Sequence, residues 1–122
     1  MSATADHIDL GALRRAIESR DAAALTAMYD RDADMVMVDY QHPPGAPMRL
    51  EGLDAIRAML DDVCGREMTH EVTHAVAGPS GVAYTEMCRY PDGTRVMLAS
   101  FCDVRDGRIV HQEGVQAWDE AG

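Results

Sequence analysis

Asp39 and His42 stand three residues apart at the edge of a Pro/Gly-rich stretch, Gln41 to Pro47, and of the five histidines His42 is the one placed to reach a neighbouring carboxylate. Such a pair can move a proton near neutral pH, because imidazole titrates there and a carboxylate steadies its charged form. Gln112 and Gln116 are an even number of residues apart, so on a strand they share a face, and two amides on an apolar wall can orient a carbonyl or hydroxyl group. His70 and His74 would chelate a metal from one turn of helix, but they fall in a strand segment, roughly 13 Å apart on one face. No HExxH or CxxC accompanies them, so neither a metal site nor a cofactor is expected. The sequence also lacks a GxSxG, a P-loop and a dinucleotide fingerprint, and Cys64, at a helix end, has no identifiable base.

The elements that must position these groups follow from apolar spacing. Ile8, Leu10, Leu13 and Ile17, then Ala24, Leu25, Met28 and Tyr29, recur at helical intervals, with a break at Ser19-Arg20-Asp21 and Tyr29 at the end of the second helix. Asp34 to Tyr40 is β-compatible, and Met48 to Glu51 can return beside it across the Pro-rich loop. Leu53, Ile56, Met59, Leu60 and Val63 mark a third amphipathic helix that stops before Gly65. From Thr69 the period changes to strands: Thr69–Ala77, Val82–Tyr90, Thr94–Val104 and Arg108–Trp118, separated by three Gly-containing turns. Helices first and a long antiparallel sheet last predict an α+β fold, a curved, mainly antiparallel mixed sheet wrapped around three helices into a cone with an internal cavity.

Composition bounds the function. The 122 residues fit one domain, and 47% hydrophobic with 26% charged residues is an ordinary globular mixture. Twenty-one acidic against eleven basic residues give a net charge of −10, with no basic stripe, so nucleic-acid binding is not expected. No apolar run approaches the ~20 residues of a membrane span, and the start MSATADHIDL lacks a signal-peptide layout, so a cytoplasmic protein away from membranes is expected. Cys64, Cys88 and Cys102 are odd in number and widely spaced, which fits reduced thiols rather than a disulfide framework.

Three strings carry a resemblance to a known family. Arg20–Asp39 (RDAAALTAMYDRDADMVMVD), Pro43–Leu60 (PPGAPMRLEGLDAIRAML) and Asp103–Trp118 (DVRDGRIVHQEGVQAW), in that order and spacing, resemble the SnoaL-like branch of the nuclear transport factor 2-like superfamily. The resemblance runs from about residue 7 to 118 and implies one domain over residues 1–122, a cone fold, frequent dimers and a small-molecule ligand. The same fold hosts isomerases, dehydratases, cyclases and non-enzymatic association domains, so it leaves the activity open. The positions that carry the tyrosine donor, the base and the second acid of a ketosteroid isomerase fall here on Leu13, Met37 and Ala99, all apolar, which argues against that route.

With the base position at Met37 facing the cavity, Asp39 faces it too, one pleat nearer the rim, where desolvation would raise its pKa toward that of a general base. The same parity sends Val110, Gln112, Gly114, Gln116 and Trp118 of the last strand inward and His111, Glu113 and Val115 outward, unless a bulge reverses it. On the preceding strand, Met97, Ala99, Phe101 and Asp103 take the face of the family's acid position. The site expected from sequence is therefore Asp39 and His42 for proton transfer, with Tyr29, Met37, Met97, Ala99, Phe101, Gln112, Gln116 and Trp118 around the ligand. Cofactor-free isomerisation, cyclisation or dehydration of a carbonyl-containing or polyketide-like molecule is the implied activity, and a filled, purely associative module is the alternative. The opposite sheet face, bearing Leu98, Cys102, Ile109 and Val115, is apolar enough to pair with a second copy.

Overall fold

The computed structural model describes residues 7–119. Three helices, α1 (Leu10–Glu18), α2 (Ala22–Thr26) and α3 (Leu53–Cys64), pack on one face of a six-stranded sheet, with β1 (Tyr29–Val38) and β2 (Met48–Glu51) between α2 and α3. The remaining strands are β3 (Thr69–Gly78), β4 (Gly81–Arg89), β5 (Arg95–Arg105) and β6 (Arg108–Trp118). Their order across the sheet is β2-β1-β6-β5-β4-β3. Among the described residues only β1 and β6 run parallel, so the meander β3 to β6 and the β1–β2 hairpin make a mixed, mainly antiparallel sheet, as the sequence predicts.

Local chemistry accounts for the element ends. Asp9 and Asp21 cap α1 and α2 by accepting the amides of Ala12 and Ala24, at 3.1 and 3.0 Å. The helix containing Leu25 is shorter than its periodicity implies. It stops at Thr26, and Tyr29 opens β1 instead of closing α2, because the Met28 carbonyl is taken by the Ile109 amide of β6 at 2.8 Å. Asp106 and Gly107, at φ of 53° and 76°, turn β5 into β6 with both central residues left-handed, the geometry that matches strand twist in a two-residue hairpin. The outer edge of β3 is covered rather than bare: Arg14 donates to the Val72 carbonyl at 2.9 Å and Glu18 accepts the Val72 amide at 3.0 Å, both from α1.

Residue faces decide what the cone contains. Val96, Leu98, Ser100, Cys102 and Val104 of β5 point inward, since Ser100 pairs with Tyr84 on one side and Gly114 on the other. Met97, Ala99 and Phe101 therefore lie on the outer face, opposite to the expectation, and Phe101 is 61% exposed. Both faces of β5 are apolar, so alternation alone could not choose between them. Leu98 and Cys102 of β5, expected on the pairing face, are internal for the same reason, and Ile109 of β6, expected there too, is also internal. A bulge at Val110, between the pairs Asp103–His111 and Val104–Ile109, turns Ile109 into the core and leaves the parity from Gln112 onward as expected. A second bulge, at Thr73, sends His70 inward and His74 outward, so the two histidines do not share a face.

Candidate functional site

The cavity lies between the inner sheet face and α2–α3, has a volume of about 450 Å³, and opens where the β1–β2 loop, the end of α3 and the end of β6 meet. Its walls are mostly apolar, with Ile17, Leu25, Met35, Met37, Met59 and Leu98 among them. Met37 sits against Gly114 of β6, where a Cβ would come within 2.7 Å of its sulfur and terminal methyl. The missing Cβ at that glycine leaves the space that the end of the methionine fills. Three polar clusters interrupt the apolar lining.

The floor cluster joins four strands. Tyr29 (β1) donates its hydroxyl to Oε1 of Gln112 (β6), and the Gln112 Nε2 donates to Ser100 Oγ (β5) at 3.1 Å and Tyr84 Oη (β4) at 3.3 Å. All four side chains are buried, and among the described residues no buried side-chain nitrogen or oxygen lacks a partner. Burial, with Cys102 and Glu86 nearby, raises the Tyr29 phenol, and burial followed by Tyr29, Cys102 and Glu86 raises Tyr84 well above the usual range. Both phenols stay protonated and remain donors.

The mouth cluster is built on the turn after β1. Asp39 Oδ1 accepts the amides of Gln41 and His42 at 2.9 and 2.8 Å and faces His42 Nδ1 at 2.9 Å. Desolvation is the largest single influence on this carboxyl and pushes its pKa up. The hydrogen bonds from His42 and Gln41 and the charge of His42 together outweigh it, and the net shift is downward. The expectation of an Asp39 base raised by desolvation is thus corrected: three donors hold its charge, and a carboxylate held this way orients the imidazole. Nδ1 is engaged by Asp39, His42 lines the cavity, and among the described residues its Nε2 makes no hydrogen bond. Trp118 stacks on Tyr90 at 5.7 Å, meets Tyr40 edge-on at 5.2 Å, and donates Nε1 to Gln116 Oε1 at 3.0 Å. This leaves the Gln116 NH2 group for a ligand oxygen.

The wall cluster comprises His70 on β3 and Glu86 and Cys88 on β4, all lining the cavity. His70 Nδ1 lies 3.1 Å from Cys88 Sγ and 3.5 Å from Glu86 Oε1, and Sγ lies 3.8 Å from Oε1. Burial first, and then Glu86, push the Cys88 thiol up to about 12.

Of the residues expected from sequence, the structure brings Tyr29, Met37, Asp39, His42, Gln112, Gln116 and Trp118 to one cavity and leaves Met97, Ala99 and Phe101 outside it. Sequence reasoning missed Tyr84, Ser100, His70, Glu86 and Cys88. A signal for part of this set existed: Val82, Tyr84, Glu86 and Cys88 alternate along one strand, and a glutamate inside an otherwise apolar row marks a polar group that needs a partner.

The profile of the SnoaL-like domain matches residues 10–112. The chain belongs to the SnoaL-like family. No protein with a curated description matches the sequence. Among solved structures, an NTF2-like protein of unknown function from Mesorhizobium loti superimposes with a TM-score of 0.77 at 16% identity, covering 88% of this chain and 87% of that one. A provisional ketosteroid isomerase from Kribbella flavida gives 0.72 at 17% identity over 93% and 76%. An NTF2-like protein of unknown function from Burkholderia xenovorans gives 0.69 at 21% identity over 93% and 81%. At these identities the likeness is one of fold, and it agrees with the cone built by the sheet and three helices. Among the described residues no helix is long and apolar enough to cross a membrane.

Proposed function

We propose that this SnoaL-like chain encloses a small, largely apolar molecule bearing a carbonyl or hydroxyl group and carries out acid/base chemistry on it by isomerisation, cyclisation or dehydration. The observation that carries the reading is an open-ended, mostly apolar cavity of about 450 Å³ with a carboxylate–imidazole pair and the Gln116 amide at its mouth. That volume lies in the range of small-molecule sites, which favours a ligand over a filled association module. In this reading His42 Nε2 takes a proton from a carbon next to the substrate carbonyl, and Asp39 stabilises the imidazolium that forms. The Gln116 NH2 donates to the substrate oxygen as negative charge develops there. No cofactor enters that step.

A thermal-shift screen against small apolar carbonyl compounds, polyketide-like aromatics and steroids tests it. A ligand that binds only the folded state raises the midpoint by mass action. The expected result is a shift confined to one class, reduced by Gln116→Ala, with turnover falling at least about 100-fold in His42→Ala. Absence of any shift from a folded protein would transfer the reading to a binding or association module.

The outer sheet face supports a homodimer. Phe101, Met97 and Val115 are 61, 46 and 53% exposed on neighbouring strands, a contiguous apolar face of the kind that pairs across a two-fold axis. Phe101→Glu is expected to leave only the 13.3 kDa species in sedimentation at low micromolar concentration, and a monomeric parent protein would refute the dimer. The three unpaired thiols suit a reducing compartment such as the cytoplasm, and the acidic balance disfavours nucleic acid as a partner.

A further inference from the structure

The wall cluster does not take part in the proton transfer proposed above, yet its three side chains differ in kind and converge on one point. His70 and Cys88 are direct partners across the β3–β4 ladder, and Glu86 lies two residues before Cys88, on the same face of β4. Their donor atoms are 3.1, 3.5 and 3.8 Å apart. In a tetrahedral site with an imidazole, a carboxylate and a thiolate at about 2.0–2.3 Å from the metal, donor–donor edges are about 3.3–3.6 Å. A circle through three atoms spaced as they are here has a radius of about 2.0 Å, so an ion near its centre reaches every donor at bonding distance without a backbone shift.

Charge points the same way. Glu86 is buried at 9% side-chain exposure, and the only basic group within 4 Å of it among the described residues is His70, which carries a charge only when protonated. Buried carboxylates are stabilised by a paired cation or a bound metal. The free side of the cluster faces the cavity, as all three residues line it.

We propose that His70, Glu86 and Cys88 form a three-ligand site for a divalent transition-metal ion of the zinc type, with its fourth position open to the cavity. Mixed nitrogen, oxygen and sulfur donors suit zinc or cobalt, whereas magnesium and calcium require more oxygen ligands than this cluster offers. On binding, the Cys88 thiol releases its proton to solvent as the sulfur–metal bond forms. Alternation along β4 puts Glu86 and Cys88 on one face, but nothing in the spacing joins them to His70, whose partners lie across the ladder on β4 and not one helical turn away at His74. The proposal stands apart from the acid/base reading, since ion binding is measured without any substrate.

The test is titration of the untagged full-length protein with Co²⁺ alone, followed by absorbance, then competition with Zn²⁺. One equivalent should saturate tetrahedral visible bands and a near-ultraviolet thiolate-to-cobalt band, and Zn²⁺ should abolish both. Cys88→Ser should lose the thiolate band, and His70→Ala and Glu86→Gln should each weaken binding at least tenfold, with folding checked by circular dichroism. Cys64→Ser and His74→Ala should bind as the parent does. The proposal is overturned by the absence of saturable binding at one equivalent. It is equally overturned by a thiolate band that survives Cys88→Ser, or by unchanged affinity in both His70→Ala and Glu86→Gln, because the ion then sits elsewhere.

Discussion

The two ends of the cavity use the same pair of strands to opposite purposes. β1 contributes Tyr29 to the floor and leads into Asp39 at the mouth, and its parallel neighbour β6 contributes Gln112 to the floor and Gln116 to the mouth. At the floor every polar atom is spent on another strand, and Gln112 alone connects β1, β4, β5 and β6. At the mouth the bonds are local, within the Asp39–His42 turn and between Gln116 and Trp118, and they leave His42 Nε2 and the Gln116 amide unspent. A polar network that is closed stabilises the fold. One that is open on one side can meet a ligand.

The largest effect should come from breaking the floor. Gln112→Leu keeps the volume but strips Tyr29, Ser100 and Tyr84 of a shared partner in a buried place, and is expected to cost about 2–4 kcal/mol, read as a lower urea midpoint. Equal loss from Gln116→Leu would erase the distinction between the two ends. A smaller effect is expected from Gly114→Ala, whose added methyl displaces the flexible end of Met37, a residue of the cavity wall. Stability should change by no more than about 1–2 kcal/mol, while any ligand found in the thermal screen should bind at least several-fold more weakly.

The smallest effects separate the ends by pH. Asp39 has a lowered pKa when folded, so its contribution is present above the ordinary aspartate value and is lost as pH falls through the folded value, in the range below about 4. The floor phenols have raised values when folded. Their contribution is complete below the ordinary tyrosine pKa of about 10 and is lost as pH rises above it, since only the unfolded chain then ionises. Stability of Asp39→Asn should accordingly fall less steeply than that of the parent between pH 4 and 2, and Tyr29→Phe should flatten the alkaline limb alone. Parallel acid limbs in Asp39→Asn and its parent would remove the turn carboxylate from the account.

Much of the architecture was legible because it is written in local rules. The helix containing Ile56 and Leu60, the Asp106-Gly107 turn and the four long strands each follow from spacing or φ requirements within about a dozen residues. The mouth pair was legible for the same reason, as Asp39 and His42 meet inside a single turn. Tyr29 was misplaced at a helix end because the competitor that ended α2 is the β6 backbone, eighty residues away in sequence.

Sequence by itself determined the order of the elements, the apolar character of the interior and the closeness of Asp39 and His42 within one turn at the cavity mouth. Only the tertiary structure decided which face of β5 is inside, that Gln112 is the hub of the floor, and that His70, Glu86 and Cys88 share one point in space. The physical reason is pairing register. Alternation along a strand names two faces but does not say which is inward when both are apolar, and one bulged residue, at Val110 or at Thr73, exchanges them.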